Sequence, residues 1–179
     1  MKTYRILLGN GKEFLNDFIE SLFHEVCQDH AAIHCTRTPR VDEFIQAGCG
    51  NDFDLIIAIP HYLTPESNAP IPMAYLGEGI RAIRTIKSNR PASIIAIVAS
   101  EERTRYEPLF LEAGADCVLE LPFEGEQLAS AVSWSLRLPS RLDRFRSKPW
   151  FFAGVLMRGL RLLCQAEMAE NALFLQESQ

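Results

Sequence analysis

Short apolar runs along the chain alternate with stretches in which apolar residues recur at helical spacing. The runs Arg5 to Leu8, Ala31 to Thr36, Leu55 to Ile59, Ile94 to Val98 and Cys117 to Glu120 predict strands. Four of the five are nearly continuous in apolar residues, as strands buried on both faces are. Between them, the pattern predicts helices at 11–28, 40–48, 77–88, 102–113 and 124–137. In the first helix Phe14, Phe18, Leu22 and Val26 recur every four residues and predict one buried stripe. Repeated strand-helix units of this kind build an α/β fold, here a doubly wound, five-stranded parallel sheet between two helical layers, with a helical C-terminal extension.

Punctuation agrees with this layout. Gly114 stands where the fourth helix should end, and Pro122 interrupts the chain directly after the fifth strand. Pro60, Pro65, Pro70 and Pro72 crowd one short stretch, which predicts a loop of unusual length between the third strand and third helix. Residues 4–138 are expected to form the main domain. Residues 139–148 read as a polar, basic linker, and Trp150 opens a long amphipathic helix with Phe152, Leu156, Leu160 and Leu163 on its stripe.

With 47% apolar residues the 179-residue chain can bury a substantial core. Its net charge of -5 argues against a generally basic nucleic-acid surface. The charge is uneven, however: Arg137, Arg141, Arg144, Arg146, Lys148, Arg158 and Arg161 face only Asp143, so residues 137–161 carry +6 and the remainder -11. Cys27, Cys35, Cys49, Cys117 and Cys164 are odd in number and scattered, which fits reduced, cytoplasmic usage. The start of the chain has no signal-peptide pattern, and no apolar run approaches the roughly 20 residues that span a bilayer.

Several words in the sequence resemble the receiver domain of bacterial response regulators, the CheY-like, flavodoxin-like module of two-component signalling. Residues Gly114-Ala115-Asp116-Cys117-Val118-Leu119-Glu120-Leu121-Pro122-Phe123 are similar to its GAD…KPF stretch at the fifth strand. Residues 78–87 resemble its third helix, Asp54-Leu55-Ile56-Ile57 the start of its third strand, and Ser93 to Ala99 its fourth strand. The likeness covers residues 4–138. It implies acids after the first strand that bind magnesium, a phosphoacceptor carboxylate ending the third, a hydroxyl on the fourth and a lysine on the fifth.

In this chain those positions hold Gly9 and Asn10, then Ile59 (Ala58 if the register slips by one), Val98 and Leu121, with Val118 at the switch aromatic. An apolar hollow of Ile59, Val98 and Leu121 would leave a magnesium ion or an acyl phosphate desolvated without compensation. The expectation is therefore an atypical receiver with no catalytic residue, no cofactor and no bound magnesium or phosphate. Glu66, in the long loop, is the one candidate for a relocated acid, and Tyr62, Leu63 or Met73 of that segment could plug the hollow.

Other constellations are weaker. Cys27, His30, His34 and Cys35 have suggestive metal-ligand spacing, but a helix and an alternating strand should point their side chains apart. His61 follows the third strand without an acid or nucleophile beside it and reads as a surface histidine. Gly9-Asn10-Gly11 lacks a nucleotide-binding fingerprint and reads as a tight strand-to-helix turn. The function expected is a non-enzymatic signalling module that binds protein, itself included, as a homodimer through Phe152, Leu156, Leu160 and Leu163. Tyr106 is a further candidate contact on the fourth helix, beside Arg103, Phe110, Leu128 and Trp134. Two alternatives belong to other classes. Gly154 to Arg158 weakly resembles part of an RNA-binding antiterminator motif, although the glutamates that follow disfavour nucleic acid. A small-ligand sensor would use the crevice at the strand ends.

Overall fold

The computed structural model describes residues 2–27, 31–63 and 72–138. Five parallel strands, β1 (Lys2–Gly9), β2 (Ala31–Thr38), β3 (Leu55–Ala58), β4 (Ser93–Ala99) and β5 (Cys117–Leu121), form one sheet in the order β2-β1-β3-β4-β5. The helices between and after them are α1 (Glu13–Cys27), α2 (Val41–Gly50), α3 (Pro72–Asn89), α4 (Ser100–Ala113) and α5 (Gly125–Ser135).

Strand alternation sorts the core into two layers. Ile6, Leu8, Leu55, Ile57, Ile95 and Ile97 point to the side covered by α1 and α5. Leu7, Ile56, Ala58, Ile94, Ala96 and Val98 point to the side covered by α2, α3 and α4. All twelve are at most 1% exposed, which is why the central strands needed almost no polar residues. At the described helices, none is long and apolar enough to cross a membrane.

Three details differ from the expected layout. The deepest stripe of α1 is Leu15, Ile19, Leu22, Phe23 and Cys27, while Phe14, Phe18 and Val26 are half-buried along its flank. The four-residue repeat drifts around a helix of 3.6 residues per turn, so a strict i, i+4 row cannot stay on the core-facing line. Second, α3 starts at Pro72 instead of 77, proline being well tolerated in a first helical turn. Third, Pro60–Tyr62 forms a single 3-10 turn directly after β3.

The ends of the later helices are well defined. Gly114 caps α4 with a left-handed φ of 107°, and its N–H donates to the Leu111 carbonyl. Glu124 and Gln127 form a reciprocal capping box at the start of α5. At the other end, Arg137 is left-handed (φ 53°), its N–H donates to the Trp134 carbonyl, and the Leu138 N–H donates to the Ser133 carbonyl at 2.8 Å. These two bonds make a Schellman motif, which stops α5 at a defined point. The expected linker and amphipathic helix at 139–179, including Phe152, Leu156, Leu160 and Leu163, lie outside the described residues.

Candidate functional site

The carboxyl ends of parallel strands are where doubly wound folds bind ligands, and here that end is closed by a backbone network. The Ile59 N–H donates to the Gly9 carbonyl at 2.9 Å, and the Asn10 N–H to the Thr38 carbonyl at 3.1 Å. The Gly11 N–H donates to the Tyr62 carbonyl at 2.8 Å. The chain segments leaving β1, β2 and β3 are thereby tied to one another.

Two glycines make this possible by close approach. Neither has a positive φ. A Cβ on Gly9 would meet the Phe44 ring at 2.6 Å, and one on Gly11 would meet the Tyr62 carbonyl oxygen at 2.7 Å. The turn was expected from sequence; its cause is crowding between segments far apart in the chain.

Asn10 is the polar centre of this end. It is 1% exposed, with its Nδ2 donating to the Lys12 carbonyl and to Asn16 Oδ1, and its Oδ1 accepting from the Lys12 N–H. Asn16 Nδ2 returns a bond to the Asn10 carbonyl at 3.2 Å. Both amides are buried and satisfied, so the pair works as a strut between β1 and α1. Asn16 was missed in the sequence; a polar residue one position from Leu15 on a core-facing helix was the available signal.

Ile59, Val98 and Leu121 do not line one common hollow. Ile59, fully buried, and the half-buried Leu121 join the core on the α1/α5 side, where Phe18 and Phe123 stack at 5.9 Å. Val98, also fully buried, belongs to the opposite layer. Side chains at successive levels of a sheet alternate between its faces, and that alternation separates them. The residues of the 3-10 turn divide in the same way. Tyr62 packs half-buried on the α1/α5 side with the Lys12 ammonium 5.5 Å from its ring centroid, while Leu63 is 1% exposed in the other layer. Met73 falls in α3, and Glu66 lies outside the described residues.

His61 is half-buried, and its ring meets Tyr62 edge-on at 5.2 Å, with Nδ1 buried and without a hydrogen-bond partner. The ring thus keeps part of its surface in solvent while the 3-10 turn holds Nδ1 inside. Among the described residues, no group of three His, Cys, Asp or Glu side chains is arranged to hold a metal. Cys27 and Cys35 turn into the same core layer, whereas His34 is exposed and His30 lies outside the described residues. Burial pushes the Cys27 thiol up to about 11. It also pushes Cys35 up to about 12, with the Glu20 carboxylate adding to the effect.

Neither a scan of family models nor a search of curated proteins finds a match to this sequence. Solved structures do match. The receiver domain of sensor histidine kinase PA1611 from Pseudomonas aeruginosa PAO1, solved with magnesium coordinated in its active-site cleft, superposes with a TM-score of 0.56 at 18% identity, over 75% of this chain and 98% of that one. The receiver domain of NtrX from Brucella abortus gives 0.58 at 14% identity, over 75% and 99%. A CpaE2 pilus assembly protein from Sinorhizobium meliloti 1021 gives 0.53 at 16%, over 73% and 98%. The fold is that of receiver domains. At these identities the likeness speaks for the shared architecture alone, and the chemistry must be argued from the side chains present.

Among the helices flanking β5, Phe110 and Leu128 are fully buried and Tyr106 is 9% exposed, its ring beneath the Arg105 guanidinium at 5.3 Å. Arg103 pairs with Glu107 at 2.9 Å and reaches Glu120 of β5 at 3.3 Å. The apolar side chains exposed on these helices are instead Leu109, Leu111 and Trp134. Leu109 and Leu111 went unnoticed in sequence because α4 carries apolar residues on several sides.

Proposed function

We propose that this chain is a receiver-like signalling module that works without phosphoryl transfer, through contacts with protein partners. The observation that carries this reading is Ile59: the residue that follows β3, where the receiver likeness puts an acceptor carboxylate, is a fully buried hydrocarbon. Gly9 and Asn10 stand where acids would bind magnesium, and Asn10 already spends its amide on Lys12 and Asn16. Leu121 offers no ammonium to neutralise a phosphoryl group, and Val98 no hydroxyl to bond it. A phosphoryl group at this end would lack both an attachment atom and counter-charge, a cost of several kcal/mol in a buried site.

In this reading the module is cytoplasmic and non-enzymatic, and residues 4–138 form the domain. Residues 139–148 serve as a linker, and Phe152, Leu156, Leu160 and Leu163 carry self-association. An amphipathic helix attached by a linker is marginal alone and gains its stability by burying its stripe. Burial of four large apolar side chains contributes about 1.5–3 kcal/mol each, sufficient to hold a dimer.

The test is an NMR titration with magnesium and beryllofluoride, a phosphoryl mimic. Amides of Gly11, Ile59 and Leu121 are expected to stay in place. Saturable shifts clustered at those residues would remove the basis of the proposal.

A further inference from the structure

β2 forms one side of the sheet, and its outer edge carries none of the devices that keep such an edge from pairing. It stays in unbroken register with β1 over all eight residues, from Lys2 beside Ala31 to Gly9 beside Thr38. It holds no proline and no lysine. Its one permanently charged side chain, Arg37, is bent back onto Asp17 and Glu20 of α1 at 2.8 and 2.6 Å. The opposite edge is guarded. β5 has only five residues, carries Glu120 with Arg103 against it, is followed by Pro122 and has α4 and α5 packed on it.

The ladder shows which groups of β2 look outward. The Thr38 carbonyl accepts from the Asn10 N–H, so Thr38 turns its backbone to β1, and by alternation so do Thr36, His34 and Ala32. Ala31, Ile33, Cys35 and Arg37 therefore aim their N–H and C=O groups away from the sheet, and among the described residues no strand meets them. The side chains of Ile33 and Cys35 are half-buried on the α1 side and carry that core layer out to the rim. His34 lies on the opposite face, exposed, beside Arg5 of β1.

We infer that β2 pairs with β2 of a second copy of the chain, antiparallel about a two-fold axis through His34, joining the two five-stranded sheets into one. The strand itself selects this occupant, because one register matches its outward groups over nearly its whole length. Antiparallel pairing sets outward-facing residues opposite one another. With His34 opposite its counterpart, Ile33 meets Cys35, Ala31 meets Arg37 and Ala32 meets Thr36. The half-buried Ile33 and Cys35 then cover each other twice, and each arginine faces an alanine. A shift of the axis by one residue toward Cys35 sets Arg37 against Ile33, and a shift toward Ile33 shortens the ladder and leaves Arg37 beyond it. This surface is separate from residues 150–163 and does not depend on them.

Sedimentation of the full chain carrying Leu156→Glu and Leu160→Glu separates the two surfaces. A concentration-dependent dimer is expected to persist in that variant. His34→Lys and His34→Glu, added singly, each place like charges opposite one another on the axis. Each should raise the dissociation constant about fivefold with an unchanged circular dichroism spectrum. Mixed in equal amounts, the two should associate more tightly than either alone. Arg5 flanks residue 34 in every pairing, so its effect averages out in the mixture and leaves the cross-axis pair as the cause. A stripe variant that is monomeric overturns the inference while self-association through the stripe stands. A dimer indifferent to the charge at residue 34, or not restored by mixing, overturns it as well. A full chain that is monomeric even without the stripe substitutions overturns both surfaces.

Discussion

The Gly11 N–H donates to the Tyr62 carbonyl at 2.8 Å, and a methyl group on Gly11 would lie 2.7 Å from that same oxygen. A backbone carbonyl held in a hydrogen bond cannot swing aside as a side chain can. Gly11→Ala is therefore expected to cost about 1–3 kcal/mol in urea unfolding. Gly50, at the end of α2, has nothing within 4 Å of its would-be Cβ. Gly50→Ala should be neutral or stabilise by up to about 1 kcal/mol, chiefly by restricting the unfolded chain. Equal effects at the two positions would contradict the close approach.

Ile59→Asp tests whether the receiver chemistry can be restored by one substitution. The carboxyl would enter a fully buried position in the apolar layer that also holds Phe18 and Phe123, and the expected cost is about 3–5 kcal/mol at neutral pH. Intact-mass measurement after incubation with acetyl phosphate and magnesium should show no added phosphoryl group. A stable variant that gains one would mean that the strand end accommodates charge.

The Asn10–Asn16 pair is expected to contribute to stability far beyond its size. Asn16→Ala removes a donor and an acceptor from a site where both amides are buried, leaving Asn10 short of partners. A loss of about 1–3 kcal/mol should appear in the unfolding midpoint. Ser21→Ala removes an exposed hydroxyl bond to the Asp17 carbonyl on the same helix and should change stability by less than about 0.5 kcal/mol.

Thiol reactivity should follow burial. Cys27, pushed from 9.0 up to about 11, holds about a hundredfold less thiolate at pH 8 than an unperturbed thiol, and its alkylation by iodoacetamide should slow accordingly. Cys35, pushed up to about 12, should react more slowly still. The unfolded chain releases these protons first as pH rises past 9.0, so stability is complete below that value and falls between 9.0 and about 11–12. Peptide mapping after timed alkylation and unfolding curves at increasing pH check the two statements. Rapid labelling of native Cys27 would contradict its burial.

The architecture was legible in the residues themselves. Apolar runs such as Leu55–Ala58 and the helical stretches between them announce strands buried on both faces, and hydrophobic burial is a local preference that each residue declares. Gly114 announced the end of α4 because a left-handed cap favours one residue type. The absence of acids at Gly9, Asn10 and Ile59 was equally plain, since residue chemistry needs no coordinates.

Only tertiary structure decided what those positions do. The sheet's alternation sends Ile59 and Val98 to opposite layers, so the single hollow imagined from the sequence does not form. The contact between Gly11 and Tyr62, the pairing of Asn10 with Asn16 and the inward turn of His61 depend on where separate segments meet. The same holds for the burial of Tyr106 beside an exposed Leu109: neighbouring positions on a helix look alike in composition, and only the approach of the sheet tells the covered side from the open one.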